Sequence, residues 1–138
     1  MIAVRGTFDD APGEFDRMEE LLAGFADANG LPASALYDFN VVLDEVVSNI
    51  LKYGYPHGAR KEVRLQLSLG NGVVAMEVED DGASFDPLQH PPPDPSVALA
   101  DRTVGGLGVH LVRRLMDEVS YARVGNSNRL TVRKRLAG

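Results

Sequence analysis

The chain has 138 residues, of which 44% are apolar and 25% are charged, and its formal net charge is −6. These values are typical of one ordinary globular domain and exclude collagen-like, disordered and coiled-coil chains. The negative charge argues against general binding to nucleic acids or anionic membranes, and the absence of cysteine excludes disulfide scaffolds, thiol catalysis and cysteine-ligated zinc.

The charge is unevenly distributed along the chain. Residues 1–101 contain 18 acidic and 6 basic side chains, whereas residues 102–138 contain 2 acidic and 8 basic ones. The basic segment could form a surface that binds phosphate or a protein partner. Alternatively, the uneven charge only reflects the two faces of one sheet. Neither a basic leader with an apolar run nor about 18 consecutive apolar residues is present, so we expect a cytoplasmic protein without a membrane span.

The first part of the chain predicts one strand and two helices. Apolar residues alternate over Ile2–Phe8, as in a short strand. Apolar residues at helical spacing follow in Glu14–Ala28, and Asn29-Gly30 ends that helix. A second helix is predicted from about Ala33 to Lys52.

The middle of the chain predicts a β-hairpin followed by a long loop. Glu62–Leu69 and Val73–Glu79 read as strands, and the intervening Asn71-Gly72 is a strong hairpin turn. The residues from Asp80 to Pro95 include five prolines and four aspartates. Irregular loops of this length are usually functional or mobile.

The last part predicts a helix and a second pair of strands. A glycine-rich start at residues 105–108 opens a helix to about Met116, and Val119–Arg123 and Arg129–Arg135 read as strands around a turn at Gly125–Asn128. Three helices and about five strands, paired as hairpins, predict a single α+β domain over residues 1–138. We expect a two-layer sandwich with the helices on one face of the sheet.

Three segments carry residues suited to chemistry. On the second helix, Glu45, Asn49 and Lys52 share one edge. The carboxylate could deprotonate a nucleophile, and the amide oxygen could bind a hard cation such as Mg²⁺. The same three residues also fit the solvated stripe of an ordinary amphipathic helix.

The other two segments flank the long loop. Asp80 ends a strand, where its carboxylate can accept a hydrogen bond from the exocyclic amine of a base, and Gly82 allows the backbone close to a flat ring. The same residues also fit an ordinary turn that carries acidic side chains. The glycines at 105, 106 and 108 start a helix whose free N–H groups can bind an anion, although this pattern is neither a Rossmann nor a Walker A motif.

In this order the segments make up a complete nucleotide site, and the chain resembles the GHKL ATP-binding fold of histidine kinases, gyrase and MutL. Within that fold it is similar to the RsbW/SpoIIAB-type anti-sigma factors, which are small serine-protein kinases. LDEVVSNILKYGY resembles the asparagine box of the fold, VEDDGASFDP the first glycine box, GGLGVHLVRRLMDEVSY the second, and NRLTVRKRL the closing strand. The resemblance covers about residues 10–136.

The resemblance implies ATP and Mg²⁺ as cofactors and a mixed, mostly antiparallel sheet. It implies that Asn49 holds Mg²⁺ against the triphosphate and that Glu45 is the general base for the attacking hydroxyl. It further implies these contacts: Asp80 with the adenine amino group, Gly82 beneath the ring, Gly106 and Gly108 with the phosphates, and Thr131 near adenine. Residues 88–104 would form a lid over the nucleotide.

The sequence departs from the family pattern at three places. Ser84 replaces the second glycine of the first box, Tyr53 stands where histidine is common, and the arginine nearest the second box is Arg102. These departures leave kinase activity less secure than nucleotide binding.

Two functions therefore stay open. The first is a serine-protein kinase that phosphorylates a small STAS-like antagonist and sequesters a sigma factor. The second is a regulatory module that binds ATP and a protein partner without transferring phosphate. We expect no dimerisation helices or transducer domain in a chain of this length, and the resemblance implies a homodimer.

Overall fold

The computed structural model describes residues 1–51, 62–82 and 104–136, with side chains in the last segment described from His110. Its elements are, in chain order, β1 (Ile2–Asp9), α1 (Glu14–Ala28), α2 (Ala33–Asn49), β2 (Glu62–Gly70), β3 (Val73–Asp80), α3 (Val104–Leu115), β4 (Glu118–Val124) and β5 (Ser127–Arg135). The strands form a five-stranded sheet in the order β1-β2-β3-β5-β4. Each of its four pairings is antiparallel, and β3 is the central strand.

The predicted α+β class is confirmed, and the predicted elements are present within a few residues of their expected bounds. The largest differences are at two ends. Helix α2 ends at Asn49, three residues before its predicted end at Lys52, although Ile50 keeps helical dihedral angles (φ −59°, ψ −48°). Strand β5 begins at Ser127, two residues before its predicted start at Arg129.

Tight two-residue turns set the register of both hairpins. In the β2–β3 turn, Asn71 and Gly72 both have positive φ (53° and 75°), as a type I′ turn requires. In the β4–β5 turn, Gly125 has a φ of 60°, and Val124 already pairs with Ser127. Because this second turn is shorter than predicted, Asn128 becomes part of the strand and lies opposite Arg123.

The core lies between the helices and one face of the sheet. Helix α1 buries four residues at helical spacing, and α2 buries a longer stripe of six. The largest fully buried side chains on these helices are Met18, Leu22, Phe39, Val42, Leu43 and Val47. They pack against buried residues of the central strands, so α2 lies directly over the middle of the sheet.

The sheet has one apolar face and one charged face. On β3, the residues Val74, Met76, Val78 and Asp80 alternate on the buried side. The intervening residues, including Glu77 and Glu79, lie on the opposite side, because successive side chains of a strand point to opposite faces. Asp80 is therefore the fourth member of this buried stripe, and the three members before it, Val74, Met76 and Val78, are apolar.

The end of α3 is joined to both layers. Lys134 of β5 donates from Nζ to the carbonyl oxygen of Leu115 (3.0 Å) and forms an ion pair with Asp38 of α2 (3.3 Å). A cation at this end of the helix is favourable because the last carbonyl groups carry partial negative charge. Within residues 1–51, 62–82 and 104–136, no helix has the length and apolar character needed to cross a membrane.

Candidate functional site

Asp80 is a carboxylate buried at the end of the central strand, with only 3% of its surface exposed. Its Oδ1 accepts a hydrogen bond from the backbone N–H of Gly82 (2.9 Å) and another from Nδ2 of Asn128 (3.1 Å). Among the residues that the structure describes, both of its hydrogen bonds go to Oδ1. Oδ2 is thus the oxygen that can accept a hydrogen bond from a ligand.

Asn128 is held in turn by two residues of the edge strand β4. Its Oδ1 accepts a hydrogen bond from Oη of Tyr121 (2.5 Å) and another from Nη1 of Arg123 (3.2 Å). Since both donors act on the amide oxygen, Nδ2 is the atom that faces Asp80. Arg123 also donates to the carbonyl oxygen of Gly82 (2.8 Å), which fixes the backbone just after Asp80.

Burial raises the pKa of the Asp80 carboxyl above its ordinary value. The hydrogen bonds from Asn128 and Gly82 act in the opposite direction, because they stabilise the ionised form. The charge of Asp81 raises the pKa of Asp80 further, and that of Arg123 lowers it. The site therefore keeps an acceptor carboxylate in a buried place through hydrogen bonds from its neighbours.

Asp81, the next residue, is fixed on the opposite face of the sheet. Its carboxylate accepts hydrogen bonds from both terminal nitrogens of Arg64 (3.0 and 2.7 Å) and from Oγ of Ser127 (2.6 Å). These contacts, led by Arg64, lower the pKa of Asp81 to about 2. Nε of Arg64 also donates to Glu79 (2.8 Å), so one guanidinium ties β2 to the end of β3. The chain is thus held from both faces as it leaves the strand.

Glu45 and Asn49 lie one turn apart near the end of α2, on the same side of the helix and both half-buried. At this spacing their Cβ atoms are about 6 Å apart. Helix α2 packs against β3, the strand that ends at Asp80. A carboxylate and a carboxamide are therefore presented together from the helix layer, as the sequence predicts.

Gly106 and Gly108 lie in the first turns of α3, which begins at Val104. The backbone N–H groups at the start of a helix lack intrahelical partners and can bind an anion. Helix α3 packs against α2, which carries Glu45 and Asn49. The glycine-rich start thus belongs to the helix layer rather than to the sheet.

Thr131 is not brought to Asp80. It lies three residues after Asn128 on β5, so its side chain is on the opposite face of the sheet, opposite Glu77 and Ser120. The residue beside the carboxylate is Asn128 instead. The physical reason is the two-residue period of the strand, which separates these positions.

Several predicted features lie outside the described residues. They are residues 88–103 of the expected lid, Lys52 of the helix edge, and the three departures Tyr53, Ser84 and Arg102.

The residues that sequence reasoning missed are Asn128, Tyr121 and Arg123. The sequence pattern predicts a turn at Gly125–Asn128, where asparagine is common because its side chain can bond to nearby backbone groups. A two-residue Gly125-Asn126 turn is the available signal, and it places Asn128 opposite Arg123. The position of Asn128 opposite Asp80 belongs to the β3–β5 pairing, which no local turn sets. Nothing in the sequence marks Tyr121 as a hydrogen-bond donor to Asn128.

The chemistry of the described groups indicates which ligand atoms they can bind. A buried carboxylate with Oδ1 occupied by protein donors suits an exocyclic amine, which donates. No group of three His, Asp or Glu side chains within the described part of the chain could hold a metal. A single amide oxygen such as that of Asn49 suits Mg²⁺ delivered with phosphate, since this ion keeps waters and substrate oxygens as ligands.

Comparisons with known proteins show the family to which the chain belongs. Residues 8–134 match the family model of the histidine kinase-like ATPase domain. The serine/threonine-protein kinase BtrW of Bordetella bronchiseptica is 33% identical over 101 residues, which cover 72% of this chain and 71% of BtrW. The serine-protein kinase RsbW of Bacillus subtilis is 30% identical over 115 residues, which cover 80% of this chain and 70% of RsbW.

Solved structures support the fold independently. The RsbU and RsbW domains of a Mycobacterium tuberculosis protein align with a TM-score of 0.70 at 17% identity, over 99% of this chain and 32% of that one. The Acinetobacter baumannii histidine kinase AdeS aligns with a TM-score of 0.55 at 13% identity, over 100% of this chain and 70% of that one. With the family model matching most of its length, the chain belongs to the histidine kinase-like ATPase domain family.

Proposed function

We propose that the chain is an ATP-dependent serine-protein kinase that phosphorylates a small STAS-like antagonist protein and sequesters a sigma factor. The proposal places it in the cytoplasm as a homodimer. Its closest support is the similarity to proteins named as serine-protein kinases. Identity of about a third supports the class of reaction, and the choice of antagonist and sigma factor is left to experiment.

The observation that carries the proposal is the buried Asp80 carboxylate at the end of β3. Two protein donors occupy Oδ1 and the adjacent Gly82 has no side chain to obstruct a ring. On this proposal Oδ2 accepts the hydrogen bond of the adenine amino group, and Gly82 lies beneath the base. The phosphates then bind at the glycine-rich start of α3, where the backbone N–H of Gly106 faces them and Gly108, which has no side chain, allows them to approach closely.

Bound Mg²⁺ would neutralise charge on the phosphates, and Asn49 is the described residue suited to hold it. Glu45, one turn earlier on α2, would accept the proton of the incoming serine hydroxyl. In phosphoryl transfer, positioning and charge stabilisation supply most of the rate, and a positioned base adds about 10²–10⁴-fold. A kinase needs this base, whereas a module that only binds ATP does not. The role of Glu45 therefore distinguishes the two candidate functions.

The test compares Glu45→Ala with Asp44→Ala in a phosphate-transfer assay with labelled ATP and a cognate antagonist protein. Asp44 is the preceding residue, exposed to solvent and hydrogen-bonded by Ser48 (3.4 Å), so it is a matched control for loss of a carboxylate. We expect Glu45→Ala to lose at least about 10²-fold in transfer rate while its ATP affinity stays the same. Asp44→Ala should retain both.

Three other results would contradict parts of the proposal. Binding of ATP and antagonist by the parent protein without any labelling would favour the regulatory module instead. Loss of ATP affinity in Glu45→Ala would move Glu45 from the reaction to the nucleotide site. Equal loss of transfer in both variants would remove the special role of Glu45.

A further inference from the structure

We infer that Asn128 is a positioning residue that makes the site selective for adenine, by fixing Asp80 as a hydrogen-bond acceptor through a chain of contacts from Tyr121 and Arg123. The inference rests on the proposed nucleotide site and names how that site distinguishes bases. It assigns a role to three residues to which the sequence analysis assigns none.

The argument starts from the direction of the hydrogen bonds. The guanidinium of Arg123 can only donate, so the amide atom that it contacts is Oδ1, and Tyr121 donates to the same oxygen. The amide is therefore oriented with Nδ2 toward Asp80 Oδ1. The side chain of Asn128 is 7% exposed, which leaves little room for it to rotate. A rotated amide would place its oxygen against the carboxylate, where two acceptors repel.

The second step concerns the state of Asp80. A donor on Oδ1 favours the ionised carboxylate, and the hydrogen bond from Asn128 is the foremost interaction that opposes the effect of burial on the pKa of Asp80. Other groups around Asp80 are Asp81 on its own strand, Arg123 on β4 and, beyond Asn128, Tyr121. Helix α2, which packs against β3, carries Asp44 and Glu45 in its last two turns.

The third step is chemical selectivity. Adenine presents an amino group that donates to an ionised carboxylate, whereas hypoxanthine and guanine present a carbonyl oxygen at the same position. That oxygen is repelled by a carboxylate and accepts a hydrogen bond only from the protonated acid. The identity of the preferred base therefore depends on whether Asp80 is ionised, and Asn128 favours the ionised form.

The experiment measures ATP and inosine triphosphate binding to the full chain by calorimetry, with Mg²⁺, from mildly acidic to mildly basic pH. In Asn128→Asp, the new carboxylate still accepts from Tyr121 and Arg123 but faces Asp80 with an acceptor. Two neighbouring carboxylates repel each other, so one of them keeps a proton to higher pH. A proton on Oδ2 of Asp80 turns that atom from an acceptor into a donor. We expect the preference for ATP over inosine triphosphate to fall by about tenfold to a hundredfold at neutral pH. The acid limb of ATP binding should also move to higher pH.

Tyr121→Phe provides a milder variant with little risk to folding. It removes one of the two donors to Asn128 Oδ1 and should lower the same preference by about threefold. Ser120→Ala is the matched control, since Ser120 precedes Tyr121 on β4, is exposed and lies on the opposite face of the sheet. It should change neither the preference nor the pH profile.

The outcomes separate the inference from the proposed function. A parent protein that binds neither nucleotide overturns both. Binding of ATP with an unchanged base preference and pH profile in Asn128→Asp and Tyr121→Phe overturns the role of Asn128 while leaving the ATP site intact. If Asn128→Asp does not fold, an unchanged preference in Tyr121→Phe alone overturns it.

Discussion

At the scale of single residues, the most informative feature is a pair of adjacent aspartates in opposite environments. Asp80 is buried and its pKa is raised, whereas Asp81 lies on the charged face and its pKa is lowered. The two residues differ by one step along a strand, so they point to opposite faces of the sheet. One suits ligand recognition and the other fixes the end of β3 to Arg64.

The pair provides its own controlled experiment on nucleotide binding. Asp80→Asn should weaken ATP binding by about 1–3 kcal/mol, because a buried acceptor is replaced by a group that mismatches its partner. Asp81→Asn alters the neighbouring residue on the other face and should leave ATP affinity nearly unchanged. Titration calorimetry of both variants measures this difference, and equal affinity of Asp80→Asn and the parent would exclude Asp80 from the site.

At the scale of elements, α2 combines structure and chemistry along its length. Its central turns bury Phe39, Val42 and Leu43 in the core, while Glu45 and Asn49 are half-buried near its end. Packing of the apolar stripe fixes the rotation of the helix, and that rotation decides where the polar pair points.

Asn49→Ala is expected to reduce the degree to which Mg²⁺ tightens ATP binding, because it removes an oxygen ligand of the ion. Asn40→Ala is the matched control on the same helix. Among the residues that the structure describes, the buried Oδ1 atom of Asn40 has no hydrogen-bond partner, so its loss should cost little stability. ATP affinities with and without Mg²⁺ decide the question, and an undiminished effect of Mg²⁺ in Asn49→Ala would contradict the assignment.

The elements also define what the sequence could predict. Local signals predict the helices and strands of the described segments: hydrophobic periodicity or alternation for most of them, a glycine-rich start for α3, and Asn71-Gly72 for the β2–β3 hairpin. The pairing of β3 with β5 joins residues far apart in sequence, and no tight turn between the two strands sets its register. The contact between Asp80 and Asn128 depends on that register, so the hydrogen-bond network behind the carboxylate was not predictable.

At the scale of the whole molecule, the charged face of the sheet affects stability in acid. Hydrogen bonds from Arg64 and Arg129 outweigh partial burial and lower the pKa of Glu79, and Arg64 and Ser127 lower that of Asp81 to about 2. A carboxyl whose pKa is lower in the folded protein stabilises the fold at pH values above its pKa in the unfolded chain. That stabilisation is lost as the pH falls through the pKa of the folded state. Asp80 contributes to the pH dependence of stability with the opposite sign, because its raised pKa favours proton uptake by the folded state.

The free energy of unfolding should therefore decrease as the pH falls from 3.8 toward about 2, where Asp81 takes up its proton. Arg64→Met should lower stability by about 1 kcal/mol at neutral pH, since the pairs are partly exposed, and the difference from the parent should shrink over that acid range. Urea denaturation at a series of pH values gives both quantities. A constant difference between the two proteins at every pH would show that Arg64 stabilises by packing alone.

The strand order places the two parts of the Asp80 network at unequal depth in the sheet. Asp80 itself is on the central strand, but Tyr121 and Arg123 are on β4, an edge strand paired on one side only among the described strands. Edge strands open locally at lower free energy than central ones. Fraying of β4 would release Asn128 while leaving Asp80 in place, so a warmed or mildly denatured protein would become less discriminating between purine bases before it ceased to bind nucleotide.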